Sequence, residues 1–159
     1  LKVSKSVGNK ISNGMVFAIP LDNQSFSFCV ACVGNEFAFF DYQSNDASLP
    51  NGLIEKPIIF RILVAKGEHK VGGWHYVGQI DLPAHFKAAS RFLHKPVGSE
   101  NYFIYYDGVS MPAEDNDVQG LELLTIWFAE DVVERLKEYF KGESSSSVFA
   151  IKKQLNIEM

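Results

Sequence analysis

Cysteine is scarce in this chain: Cys29 and Cys32 are the only two among 159 residues. Two thiols cannot build a disulfide scaffold, which excludes the small cross-linked secreted folds. Long apolar runs are also missing. No stretch approaches the roughly 18 apolar residues that a transmembrane helix needs, so no membrane span is expected. The opening, Leu1 to Gly14, is polar and has no apolar core of the kind a secretory signal carries. It begins on Leu1 and not on Met, so a trimmed or processed start is expected. A cytoplasmic location is the resulting expectation. Basic residues are not in excess either. Lys and Arg number 15 against 19 Asp and Glu, for a net charge of −4 and a pI near 5.5. Nucleic acid is therefore not expected as a partner, because phosphate contacts need a basic surface.

What is present is apolar and aromatic. Hydrophobic residues make up 47% of the chain and aromatics 13%, with 13 Phe. That is too much for a disordered chain and enough for one domain with a sizeable core. The aromatics are read as core, not as a base-stacking platform. Charge is distributed unevenly. Residues 1–95 carry 10 Lys+Arg against 7 Asp+Glu, and residues 135–159 carry 5 against 3. Between them, residues 96–134 have no Lys or Arg and nine acids: Glu100, Asp107, Glu114, Asp115, Asp117, Glu122, Glu130, Asp131 and Glu134. One reading is a solvated loop followed by acids favoured at a helix start. The other is an acidic face for a basic partner, since like charges held together steer a cationic partner in quickly.

Hydrophobic periodicity places the elements. Met15 to Leu21, Phe26 to Val33 and Glu36 to Tyr42 read as strands, with Gly34-Asn35 as a turn, and together suggest a meander. Phe26, Phe28, Val30 and Cys32 should share one face. Gln43 to Lys56 reads as a loop, Ile58 to Lys66 as a strand, Gly67 to Gly73 as a turn and Trp74 to Ile80 as a strand. Phe86, Ala89 and Leu93 share a helical spacing, so one or two helical turns are expected over Phe86 to His94. Tyr102 to Asp107 is an expected strand, Met111 to Gly120 an acidic loop, and Leu121 to Phe128 a strand leading into a helix over Ala129 to Phe140. Val132, Val133, Leu136 and Phe140 fall on one face of that helix. Gly142 suits its end. Val148, Ile151 and Leu155 suggest a short last helix after the serines 144–147. The expected fold class is α+β, a mostly antiparallel sheet, open to a barrel-like closure, with one or two C-terminal helices. Residues 13–141 are the expected domain. Residues 142–159 are the expected Ser-rich linker and terminal helix. No internal repeat occurs.

Motifs for chemistry are sparse. Cys29-Val-Ala-Cys32 has the C-x-x-C form, but no second pair completes a zinc site, and the motif lies in a strand pattern and does not open a helix. Along a strand three residues span about 10 Å, too far for a disulfide. His69, His75, His85 and His94 show no helical pairing with each other or with a carboxylate, so no metal is expected. No EF-hand loop, G-x-S-x-G, P-loop or G-x-G-x-x-G occurs. Ser110 and the serines 144–147 lack a nucleophile elbow, and Asn23-Gln24-Ser25 has the form of a glycosylation sequon. No catalytic residue and no cofactor is expected. Trp74 follows Gly72-Gly73, which leaves an exposed ring at a turn or a core position. Trp127 reads as core, and Gly120 as a backbone-geometry residue.

Several blocks, read in order, carry a family resemblance. They are Gly14-Met-Val-Phe-Ala-Ile-Pro-Leu21, Phe39-Phe-Asp-Tyr42, Ile59-Phe-Arg-Ile-Leu-Val-Ala65 and Gly73-Trp-His-Tyr-Val-Gly-Gln-Ile80 before Leu82-Pro83. Tyr102-Phe-Ile-Tyr-Tyr-Asp-Gly108 follows, then Gly120-Leu-Glu122 with Trp127 and the helix Val132 to Phe140. This order resembles the immunity protein 26 family of bacterial polymorphic toxin systems. Met15 departs from it, an acidic residue being commoner after the glycine, as does the Ser-rich tail. The resemblance implies a non-catalytic protein that binds and neutralises a cognate toxin, often a nuclease domain, encoded nearby. It supplies no catalytic residues.

The charge pattern agrees with that implication. Nuclease sites are cationic, so Asp107, Glu114, Asp115 and Asp117 are candidate contacts to a basic toxin, with Trp74 as a candidate aromatic anchor. Two other readings stand beside it. One is a general peptide- or small-ligand-binding module, which would show a pocket. The other is an enzyme assembled from distant loops, with His75, His94 and Asp107 as its candidates. Oligomeric state is left open; sheet edges or a swapped terminal helix offer routes to a dimer.

Overall fold

Four consecutive strands form the frame of the first sheet: β1 (Met15–Pro20), β2 (Phe26–Ala31), β3 (Glu36–Ser44) and β4 (Ile58–Val64). The computed structural model describes residues 10–157. The polar opening up to Asn9, and Glu158 and Met159 at the end of the expected tail, lie outside the described residues. Gly34, at φ +66°, turns the chain from β2 into β3. Neighbouring strands pair antiparallel, as a meander should. β5 (His75–Gln79) then pairs antiparallel with the free side of β1.

Both faces of this sheet are covered. On one face Phe17, Ile19, Cys29, Phe37, Phe39 and Ile62 pack against Trp74, Trp127, Val132 and Leu136. On the other, Val16, Phe28, Val30, Cys32 and Phe40 pack beneath Leu53, Leu82 and Phe86. Strands buried on both sides have no reason to alternate, which is why Met15 to Ile19 is one apolar run. Each fully buried Phe contributes about 2–3 kcal/mol by the area it removes from water.

The second sheet holds β6 (Arg91–His94), β7 (Tyr102–Tyr106), β8 (Val109–Ala113) and the two-residue β9 (Glu122–Leu123), in the order β8-β7-β6-β9. A tight turn at Asp107-Gly108, with φ of +49° and +84°, joins β7 to β8. β10 (Ile126–Trp127) returns to the first sheet and pairs parallel with β4. The first sheet therefore reads β10-β4-β3-β2-β1-β5, with two ends, and is open and not a barrel.

Four local expectations are corrected. Phe86 to His94 is not helical: a single 3-10 turn, Ala84–Phe86, is followed by strand β6. Met111 to Gly120 is not all loop: its first three residues belong to β8, and Asp115–Val118 is a 3-10 turn. Leu121 to Phe128 is not one strand: the chain leaves one sheet after Leu123 and enters the other at Ile126. The turn region Gly67 to Gly73 contains a short helix, α1 (Glu68–Val71).

Helix α2 (Ala129–Phe140) has the expected bounds and buries Val132 and Leu136 completely. Its first residue has no local side-chain cap. The Ala129 amide instead donates to Glu68 Oε1 of α1 at 2.7 Å. Its end is a Schellman motif: Gly142, at φ +78°, donates to the Tyr139 carbonyl and Glu143 to that of Glu138. Helix α3 (Ser146–Gln154) starts on Ser145, whose hydroxyl accepts from the Val148 amide. Its C-terminal carbonyls at Leu155 and Asn156 accept from Lys95 Nζ at 3.0 and 2.8 Å. Lys95 is buried, so this ammonium both satisfies the helix end and complements its dipole. α3 thereby covers a third core of Leu93, Val118, Leu123 and Ile157. No helix among the described residues is long and apolar enough to cross a membrane.

An ion pair between buried Glu36 and half-buried Arg61 ties the two sheets' connection down. Arg61 on β4 lies 2.7 Å from Glu36 on β3 and donates to the Ala88 carbonyl at 2.6 Å. Glu36 also accepts from the Ser90 hydroxyl and amide. The segment leading into β6 is thus held by hydrogen-bonded charges, which are costly to break once desolvated.

Candidate functional site

The four acids expected to meet a partner are all solvent-exposed, but they do not form one cluster. Asp107 sits in the β7–β8 turn. Tyr102 pairs with Ala113 at the other end of the hairpin, immediately before Glu114. At about 3.4 Å per residue, Asp107 and Glu114 are separated by roughly 20 Å of strand. The acidic face expected of this segment is thus not a single patch: the hairpin holds Asp107 and Glu114 at its two ends.

Glu114 and Asp117 have a local task as well. They close a capping box around the turn Asp115–Val118, with the Glu114 amide donating to Asp117 Oδ2 at 3.0 Å. Asp115 and Asp107 make no side-chain hydrogen bond or ion pair with the described residues. Elsewhere in the acidic segment, Glu122 is engaged by Arg135 through two bonds of 3.0 and 2.8 Å. Glu134 accepts from the Ser146 and Ser147 hydroxyls at the start of α3. The segment's acids therefore divide into four carboxylates with a structural task, Glu114, Asp117, Glu122 and Glu134, and the rest, which stand open to solvent.

Trp74 is placed in the core, only 6% exposed, with its ring edge-on to Phe37 and Phe39. Of the two placements left open for Trp74 the core one holds, so this ring is not an exposed anchor. Gly73, at φ +68°, turns the chain back so that the residue after it points inward. Trp127 is core, as expected, at 3% exposed. Gly120 has φ +78° and open space around its Cα, which fits a backbone role.

Sequence reasoning missed the apolar strip between the acids. Cross-strand partners share a face, so Tyr106 and Val109 stand side by side, with Met111 next to Val109 on the same side. Their exposures are 42%, 57% and 63%. Further along this face Tyr102, Ile104 and Ala113 pack on the third core under α3. The alternation Val109-Ser110-Met111 after Asp107-Gly108 was the available signal, masked by Pro112 and the short length.

The remaining candidates stay apart. Cys29 faces one core of the first sheet and Cys32 the other, and both are free. Burial pushes the Cys32 thiol up to about 11 and raises Cys29 well above its ordinary range. His75 lies on β5 of the first sheet, edge-on to Phe26. His94 lies on β6 of the second sheet, with Nδ1 3.1 Å from Ser110 Oγ. His94 pairs with Phe103, whereas Asp107 lies beyond Tyr106 at the opposite end of β7, so these three residues do not converge. Among the described residues no group of three or more His, Cys, Asp or Glu is placed to hold a metal.

A cavity of about 280 Å³ opens beside the acidic turn, lined by Asp115, Val118, Glu122, Arg135, Lys152 and Ile157. Arg135 is committed to Glu122 and stacks 3.9 Å from the Phe60 ring centroid. Within the cavity's polar lining, Glu122 and Arg135 are thus taken up by each other.

A family model described as Immunity protein 26 covers residues 12–94, just over half of the chain. No curated protein and no solved structure matches significantly. The matched residues hold β1 to β6, and the acidic segment follows them.

Proposed function

The chain belongs to the immunity protein 26 family, and on that premise we propose that it neutralises a cognate bacterial toxin by stoichiometric binding, without catalysis. The family match carries this reading. The protein acts in the cytoplasm of the cell that makes the toxin, and the toxin is basic, as a nuclease domain is where it holds phosphates. Asp107, Glu114, Asp115 and Asp117 supply the attraction. They are exposed, and no Lys or Arg occurs in residues 96–134 to offset them. Exposed charges of this kind accelerate encounter more than they prolong the complex. Trp74 supports the scaffold beneath and does not touch the partner.

A small-ligand or peptide-binding module is the second reading, favoured by the cavity beside Asp115. The two separate on one experiment. The tagged chain is recovered from cells expressing the toxin encoded beside its gene, at low and moderate salt, and its companions are identified by mass spectrometry. A single stoichiometric toxin, released as salt rises, is the expected result. Recovery without that toxin overturns neutralisation and leaves the cavity as the place to screen for ligands.

A further inference from the structure

Beyond the part that α3 covers, the core-side face of the β7–β8 hairpin has the makeup of a binding hot spot. Tyr106, Val109 and Met111 form an exposed apolar strip on one side of the two strands. Asp107 closes one end of the strip, and Glu114, Asp115 and Asp117 follow the other. The Arg91 guanidinium stands 5.3 Å from the Tyr106 ring centroid and steadies that ring. Four carboxylates against one guanidinium leave the rim acidic. A protein interface has this arrangement, with an apolar centre that supplies lasting affinity and a polar rim that selects and steers.

We infer that this face, centred on Tyr106, Val109 and Met111, is the docking surface for the toxin, whose complementary patch is apolar at its centre and basic at its margin. The assignment rests on the neutralisation reading above. It moves the anchor from Trp74, which is buried, to the strip that the acids bracket. It also explains why the acids stand at the two ends of a hairpin. Like charges 20 Å apart, by the strand spacing above, repel each other little across water, yet both reach a partner broad enough to cover the strip.

The edge of β8 is a less suitable alternative. A partner strand added there needs a row of backbone donors, and Pro112 has none. The face is left uncovered where α3 stops: Tyr102, Ile104 and Ala113 pack on the third core, while the three strip residues beyond them do not. Charge decides between a second copy and a basic partner. Two copies meeting through this face bring four carboxylates against four, and like charges so juxtaposed disfavour the pairing.

The experiment uses the purified full chain and the toxin domain encoded beside its gene, inactivated if needed. Association and dissociation rates are measured for the wild type, for Tyr106→Ala/Val109→Ser/Met111→Ser, and for two charge insertions, Val109→Lys and Val109→Glu. The expected result is a triple variant that binds about 30-fold or more weakly, the threshold for a hot spot, with the loss mostly in dissociation rate. Val109→Lys should bind more weakly than Val109→Glu, because the facing margin is basic. All substituted side chains are exposed, so the thermal midpoint should stay close to the wild type, which checks the fold. Wild-type binding that the triple variant retains within about two-fold overturns the docking surface and leaves neutralisation standing. A wild type that fails to bind overturns neutralisation and the surface with it. Concentration-dependent dimerisation lost in the triple variant makes a second copy the occupant and overturns the assignment to the toxin.

Discussion

Gly14 shows how much a single residue of the matched stretch can carry. Its φ is +93°, and a Cβ there would run into the Ile80 carbonyl oxygen and the Gln79 side chain. Gly14 also donates to Ala31 and accepts from Ile80, so it sits where β1 meets β2 and β5. Gly120 shares the positive φ but has open space. Gly14→Ala should therefore lower unfolding free energy by about 2 kcal/mol or more, and Gly120→Ala by about 1 kcal/mol. Chemical denaturation of the two variants checks the order. The thiols make a second residue-scale test. Cys29 and Cys32 are buried on opposite faces, and at pH 8 a thiol near 11 is thiolate in about one molecule in a thousand. Both should react with a thiol reagent only after unfolding. The sign of the linkage follows from the raised folded value. The proton is held more tightly in the folded state, so Cys32's contribution is intact below its unfolded value near 9 and declines as pH rises towards 11.

At the scale of elements, long periodic segments were legible and short ones were not. Four strands and α2 carry enough residues for their pattern to be unambiguous, and α2 has the bounds its sequence implies. β6 is four residues long. The apparent helical spacing of Phe86, Ala89 and Leu93 joins a core residue under the first sheet to one under the second. Their agreement with a helix was accidental, because periodicity cannot report that the chain changes partners between them. The same reason hid the division of Leu121 to Phe128, where two parallel pairings of two residues each leave no period to read. The candidate surface suffered differently. Asp107 and Glu114 are near in sequence, and a hairpin of extended strands turns that nearness into separation. α3 gives the element-scale prediction. Lys95→Met removes the two bonds to its C-terminal carbonyls and should cost about 1–3 kcal/mol. Hydrogen exchange should rise over Ser146–Gln154 while β1 to β4 stay protected. Unchanged exchange in that helix would mean that Ile157 and its neighbours hold it alone.

On the whole-molecule scale, a frame buried on both faces carries a second sheet whose hairpin projects apolar and acidic residues into solvent. Rigidity in the first supports preorganisation in the second. The net charge of −4 is the balance of a mildly basic frame and the segment 96–134. Converting Asp107, Glu114, Asp115 and Asp117 to Asn or Gln should slow toxin association by about tenfold or more at low salt. Dissociation should change less, and the difference from wild type should shrink as ionic strength rises. An association rate independent of both substitution and salt would remove the acidic surface from the account, leaving the apolar strip to be judged on its own.

The central claim is neutralisation by binding, and one titration addresses it directly. The cognate toxin is assayed for its own activity while the full chain is added in known ratio. Activity should fall linearly and vanish at one equivalent, with a one-to-one complex recovered by size-exclusion chromatography. Undiminished toxin activity in a large excess of folded chain would contradict it.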